Sequence, residues 1–154
     1  MVRYKLTMDD GVALFGKYVG NWGGEATHWR FDARTGGKTV ASVTRASGAT
    51  LHMDVRASKT ELIETDTWDA AAVRIHILDE YGTMASYAQL PVHFSVTGAA
   101  ALIGPETAVA EGGMTGTYIR TIGENGEAVL RISAGGLPEE EVRFHIKRKN
   151  VEQE

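Results

Sequence analysis

The chain has 154 residues, 20 acidic against 16 basic, no cysteine and a formal net charge of −4. Its apolar and charged fractions are those of globular proteins, which excludes global disorder. Without cysteine there is no disulfide, thiolate nucleophile or cysteine metal site, and no basic block marks a nucleic-acid footprint.

The first residues, from Met1 to Leu6, lack the apolar segment of a signal peptide. No run approaches the ~20 apolar residues of a membrane span. A cytoplasmic location is therefore expected, and no membrane partner. Thr7 to Asp10 reads as a helix start, with Thr7 as cap and a carboxylate three residues on. Met8, Val12, Phe15 and Val19 follow at helical spacing, so a short helix ending at Gly20 is expected.

The next stretch, Lys17 to Phe31, holds three glycines and two of the three tryptophans. From Glu25 the period becomes two. Thr27, Trp29 and Phe31 share a face that is expected to be core, with Gly20, Gly23 and Gly24 turning the chain before it. Gly36 and Gly37 supply a hairpin turn, and Lys38 to Arg45 returns. Residues 46–49, small and polar, mark a module boundary.

Beyond that boundary alternation dominates. Apolar faces are carried by Leu51, Met53 and Val55; by Val73, Ile75 and Ile77; by Val92, Phe94 and Val96; by Leu130 and Ile132; and by Val142, Phe144 and Ile146. Thr60 to Glu64 and Gly116 to Ile122 are two more β-prone pieces. Asp79 to Gly82 and Gly123 to Gly126 read as turns. Pro91 must open its strand or lie at an edge, because it has no N–H to donate. Lys147 to Lys149 is expected in a solvated tail. Seven strands over about 100 residues, with turns about every ten, point to an all-β immunoglobulin-like sandwich.

Motifs for chemistry are scarce. Gly20 to Gly24 lacks the dinucleotide pattern and precedes a strand, not a helix. His28, His52, His76, His93 and His145 each fall alone on a polar face, so no metal site is expected. No serine lies in a nucleophile elbow. Among acids, Asp9/Asp10, Asp79/Glu80 and Glu139 to Glu141 occupy a helix start, a turn and a loop. None offers the burial that tunes a catalytic acid. Glu64-Thr-Asp-Thr-Trp-Asp69 is richer, with acids flanking an aromatic. It could bind a cation or a sugar; the plainer reading folds Trp68 back onto the sandwich. No catalytic residue and no cofactor are expected.

Two long stretches carry a resemblance. Val73 to Glu80 followed by Tyr81-Gly-Thr-Met-Ala-Ser-Tyr-Ala-Gln-Leu-Pro-Val-His-Phe-Ser-Val-Thr-Gly98 resembles the valine-rich strand, Asp-x-x-Gly turn and Pro-Val-x-Phe-x-Val-x-Gly pattern of bacterial Ig-like modules. Leu102 to Pro105, Gly112 to Thr121 and Gly126 to Ser133 look like the C-terminal Ig-like region of family 2 glycoside hydrolases, the beta-galactosidase group. Asp10 to Gly24, Trp29 to Asp32 and Gly37-Lys38 resemble the segment just upstream in those enzymes. Nothing resembles their catalytic barrel, which at about 250 residues would not fit.

The resemblance implies residues 1–47 as a partial Ig-like module (a short helix plus a hairpin), 48–147 as a complete sandwich and 148–154 as a charged tail. It implies a non-catalytic accessory domain whose partners are the other domains of a glycosidase. The alternatives are a free-standing carbohydrate-binding module and an Ig-like spacer or adhesion module. Tyr18, Trp22, Trp68 and Tyr87 are the candidate contacts for carbohydrate or a neighbouring domain. The accessory reading expects uncovered apolar surface near Tyr18, Trp22 and Trp29.

Overall fold

The computed structural model describes residues 5–19, 28–46 and 48–149. It divides into two compact units, Met1–Ala49 and Thr50–Glu154. None of its described helices is long and apolar enough to cross a membrane.

The first unit holds one helix and one hairpin. Helix α1 spans Met8–Tyr18. Thr7 and Asp10 close a reciprocal cap. The Asp10 N–H donates to Thr7 Oγ1 at 3.2 Å, and the Thr7 N–H donates to Asp10 Oδ2 at 2.9 Å. Two of the helix's orphan donors are thereby satisfied. The backbone N–H of Thr7, ahead of its hydroxyl, holds the Asp10 carboxyl below its ordinary pKa. The helix ends at Tyr18, two residues before the expected Gly20, with the Val19 N–H donating to the Phe15 carbonyl at 2.8 Å.

Strands β1 (Trp29–Thr35) and β2 (Lys38–Arg45) pair antiparallel around Gly36 and Gly37. Both glycines have positive φ, +57° and +77°, the requirement of the tight turn whose twist matches a hairpin. The register puts Trp29, Phe31 and Ala33 across from Arg45, Val43 and Ala41, making one apolar face. On the other face Arg30 Nε donates to Asp32 Oδ1 at 2.9 Å, and Ser42 hydrogen-bonds the same oxygen.

The expectation that Trp29 and Phe31 are core is corrected here: they are 42% and 61% exposed. No residue of α1, β1 or β2 is buried. A period-two pattern names the side meant for burial. A two-stranded ribbon has no second layer to bury it against.

The second unit is a β-sandwich of nine strands, two more than expected. Strands β4 (Glu61–Glu64), β6 (Leu90–Gly98), β8 (Thr107–Ala110), β10 (Gly126–Ala134) and β11 (Glu140–Arg148) form one sheet in the order β4-β11-β10-β6-β8. Strands β3 (Leu51–Ala57), β5 (Ala70–Asp79), β7 (Ala100–Ile103) and β9 (Met114–Thr121) form the other in the order β3-β5-β9-β7. Neighbours are antiparallel except β4 and β11, which run parallel.

Alternation builds the core. Val73, Ile75, Ile77 and Ile119 from one sheet face Val92, Phe94, Leu130, Ile132, Phe144 and Leu62 from the other, all buried. Each fully buried aliphatic or aromatic side chain contributes about 1.5–3 kcal/mol relative to exposure, so this two-layer face holds the unit together.

Pro91 sits second in β6, between two partners. Phe94's N–H points toward β8's side, donating to the Glu106 carbonyl at 2.8 Å, so by alternation residue 91 points toward β10. That ladder ends at Val92–Ala134, and the missing N–H costs no bond. Gly98 has φ +91°, and a Cβ there would lie 2.1 Å from the Glu127 carbonyl oxygen. That same oxygen accepts from the Ala99 N–H at 3.0 Å, so only glycine fits the approach.

Two further expectations are corrected. Glu140 and Glu141 lie in β11, not a loop; Arg131 Nε donates to Glu141 Oε1 at 2.8 Å. Lys147 and Arg148 close the same strand instead of lying in a solvated tail, and the Arg148 N–H donates to Asn125 Oδ1 at 2.6 Å.

Candidate functional site

The acid-rich segment Glu64 to Asp69 links the two sheets. Strand β4 ends at Glu64 in one sheet, and β5 begins at Ala70 in the other. Such a crossing leaves backbone donors without ladder partners, and the local acids take them up. Asp69 Oδ1 accepts from the Ala70 N–H (2.8 Å) and Lys59 Nζ (2.5 Å), while Oδ2 accepts from the Ile63 N–H (3.0 Å). Burial pushes the Asp69 carboxyl up. The Lys59 ammonium and the two amides outweigh it, and the net pKa is lowered.

Thr121, at the end of β9, ties this loop to the sheet. Its side chain is fully buried. Oγ1 accepts from the Asp69 N–H at 3.0 Å, and the Thr121 N–H returns a bond to the Asp69 carbonyl at 2.9 Å. The hydroxyl also bonds Glu64, whose Oε2 accepts from the Gly123 N–H at 2.8 Å. These bonds, Thr121's first, hold the Glu64 carboxyl below the usual glutamate range.

Above this frame lies an open hollow of about 470 Å³ lined by Glu64, Asp66, Trp68, Arg120, Thr121 and Ile122, among others. Trp68 is 56% exposed. The expectation that it folds back on the sandwich is thus corrected: the bonds at Asp69 fix the backbone beside it, and the residue stays more exposed than covered.

The other candidates do not join it. Tyr87 is 70% exposed, in the connection between β5 and β6. That connection folds against the far end of β5, where the Ala85 N–H donates to the Ile77 carbonyl at 2.9 Å. Ala70 and Ile77 are seven residues apart, about 23 Å of strand, so Trp68 and Tyr87 cannot form one platform. Tyr18 belongs to the first unit, where its ring meets Trp29 at 6.3 Å and 50°, with Lys17 Nζ 4.9 Å from its centroid. Trp22 lies outside the described residues, as do Gly20, Gly23, Gly24 and Thr27.

The remaining acids have structural duties. Asp79 is buried, contrary to the open turn expected. Its Oδ1 accepts from the N–H groups of Tyr81 (2.9 Å) and Thr83 (2.8 Å), shaping the Asp-x-x-Gly turn that Gly82 completes at φ +73°. His145 Nδ1 lies 3.4 Å from Glu127, His76 Nδ1 3.9 Å from Asp54, and His93 Nδ1 2.8 Å from Thr107 Oγ1. Among the described residues no three metal-ligating side chains gather.

The family model described as glycoside hydrolase family 2 C-terminal domain 5 matches residues 53–143, which run from the first strand of the sandwich into its last. The chain belongs to this family.

Solved glycosidases share this fold over part of their length. A glycosyl hydrolase family 2 member from Bacteroides cellulosilyticus superposes with a TM-score of 0.61 at 17% identity, over 78% of this chain and 17% of that one. A beta-glycosidase from Bacteroides vulgatus gives 0.60 at 18%, over 79% and 17%. At these identities the likeness establishes the fold. In sequence, a beta-galactosidase of Thermoanaerobacter pseudethanolicus is 29% identical over 115 residues, 75% of this chain and 15% of the relative. The chain thus spans about a sixth of the length of the proteins it matches. The family match covers the hollow and both carboxylates that line it. Arg120 and Thr121, which line that hollow, and Lys59, which pairs with Asp69, were not among the candidate site residues. Only the pairing of distant strand ends brings them together.

Proposed function

We propose that this chain is a non-catalytic accessory domain from the C-terminal region of a beta-galactosidase-like family 2 glycoside hydrolase, and that it supports packing or assembly of the parent enzyme. The observation that carries this reading is the family match over residues 53–143 joined to a relative of which the chain spans 15%.

The chemistry of the hollow supports a non-catalytic role. Glycoside hydrolysis needs two carboxyls across the scissile bond, one with a raised pKa to act as acid. Glu64 is driven the other way, with its oxygen occupied by Thr121 and Gly123. The hollow is an open depression and excludes no water from Asp66.

The first unit supports a place among other domains. Its hairpin shows an apolar face, and its helix exposes Met8, Val12, Phe15 and Tyr18. The aligned stretch of the beta-galactosidase is longer than Thr50–Glu154, so the similarity runs into this unit. We take residues 1–47 as part of an adjoining Ig-like module and residues from 48 to the end of β11 at Arg148 as the complete one. The remaining domains of the glycosidase are then the partners.

An antibody raised against the isolated sandwich tests the reading. On a blot of the source cells it should detect a band several times larger than this 154-residue chain. The immunoprecipitate should hydrolyse nitrophenyl galactoside, and the isolated chain should not. Turnover by the isolated chain, or a large band with no glycosidase activity, overturns the proposal.

A further inference from the structure

We propose that the hollow under Trp68 is a subsite for a neutral saccharide, one that holds a sugar ring or two of a chain outside any catalytic centre. The proposal rests on the glycosidase reading only for why a sugar would be at hand. The site itself is argued from its own residues.

Trp68 is the largest side chain lining the hollow, and more than half of the residue is exposed. Pyranose rings carry a face of axial C–H groups that stacks on an indole, while their equatorial hydroxyls need donors and acceptors at the rim. The hollow supplies both. Among the described residues the Asp66 carboxylate makes no hydrogen bond and can accept, while Glu64 is already engaged by Thr121 and Gly123. Arg120 spends a single long contact, NH1 to the Thr121 carbonyl at 3.4 Å, and has donors left. Its volume, about 470 Å³, falls within the range of small-molecule pockets.

The platform is also held in place before any ligand arrives. The two Asp69–Thr121 bonds (one to the Thr121 hydroxyl, one between backbones), Glu64 on the Gly123 amide and the Lys59–Asp69 ion pair fix the backbone on both sides of it. A ring mounted on fixed backbone loses little freedom on binding.

Charge bears on the sugar class. Glu64 and Asp66 line the hollow with Arg120, and Arg148 acts on Glu64 from beside it, so the two signs balance. A uronic acid or sulfated sugar would find no surplus of positive charge to offset the desolvation of its own charge, whereas a neutral galactoside, glucoside or xyloside carries none.

The test is titration of the intact chain with tetraoses of β-linked galactose, glucose, xylose and mannose, and with an oligogalacturonate, each to about 10 mM. It is followed by amide shifts of Trp68, Ile122 and Gly123. At least one neutral oligosaccharide should bind saturably in the millimolar range, and the oligogalacturonate at least tenfold more weakly. Trp68→Ala should weaken binding at least tenfold, Asp66→Ala several-fold, and Tyr87→Ala should leave it unchanged. Absence of saturable shifts with every sugar, or binding that survives Trp68→Ala in a folded variant, overturns the subsite. So does capture of a protein through Trp68 with no sugar response. Sugar silence beside a large, active band on the blot would end this proposal and leave the accessory-domain reading standing.

Discussion

Replacing Thr121 by valine isolates the polar tie at the sandwich's end. Valine keeps the shape of threonine and removes one hydroxyl, so packing in the fully buried site is preserved. What is lost is the acceptor for the Asp69 N–H, at 3.0 Å, together with the donor to Glu64. A buried donor left without a partner costs about 1–3 kcal/mol. The Asp69 N–H is only partly buried, which places the expected loss near the middle, about 2 kcal/mol. For a domain of about 100 residues each kcal/mol moves Tm by about 4–8 °C. The expected fall is therefore on the order of 8–16 °C. Urea unfolding followed through the amide signals of Ile119 and Leu130 reports the sandwich alone, with the slope unchanged if only the native state is affected. The same variant makes a second demand. Thr121 is the foremost cause of the lowered Glu64 pKa, so that carboxyl should titrate closer to its ordinary value, read by carbon NMR. A variant that loses less than about 0.5 kcal/mol and leaves Glu64 where it was would refute the bonding scheme.

Gly98→Ala should cost at least about 2–3 kcal/mol, because a Cβ would sit 2.1 Å from the Glu127 oxygen at φ +91°; urea melts measure it. Phe144→Ala removes a fully buried ring between the sheets and should cost about 3–5 kcal/mol by the same assay. Asp69 has a lowered folded-state pKa, so the unfolded chain binds protons first as pH drops. The contribution of Asp69 is complete well above 3.8 and is lost as pH falls through that value and below. An Asp69→Asn chain should be less stable at neutral pH and show a flatter acid limb between about pH 5 and 2 in thermal melts taken across that range.

The sandwich was legible where one side of a strand is buried and the other is wet. Val73, Ile75 and Ile77 alternate with Arg74 and His76, and that rhythm can mean only a half-buried strand. The Thr7–Asp10 cap and the Gly36–Gly37 turn were legible because each needs specific side chains at fixed spacing. Strands β7 and β8 escaped, since Ala100 to Ile103 and Thr107 to Ala110 are four residues each, too short for a period to declare itself. Trp29 and Phe31 were misjudged for another reason: pattern tells which side is apolar, not whether a layer exists to cover it. The hollow was half legible. Glu64, Asp66 and Trp68 are neighbours in sequence, whereas Arg120 and Thr121 reach them only through strand ends more than fifty residues away.

The parallel pairing of β4 with β11 has a consequence for biosynthesis. Residues 61–64 emerge from the ribosome early, yet their one hydrogen-bonded neighbour in the sheet is the final described strand. Leu62 therefore waits in water until Phe144 and Ile146 have been translated, and the sandwich cannot close before β11 has been made. A chain interrupted ahead of that strand would leave an unzipped margin and a cleft to the core, the kind of nascent species that chaperones and proteases meet first.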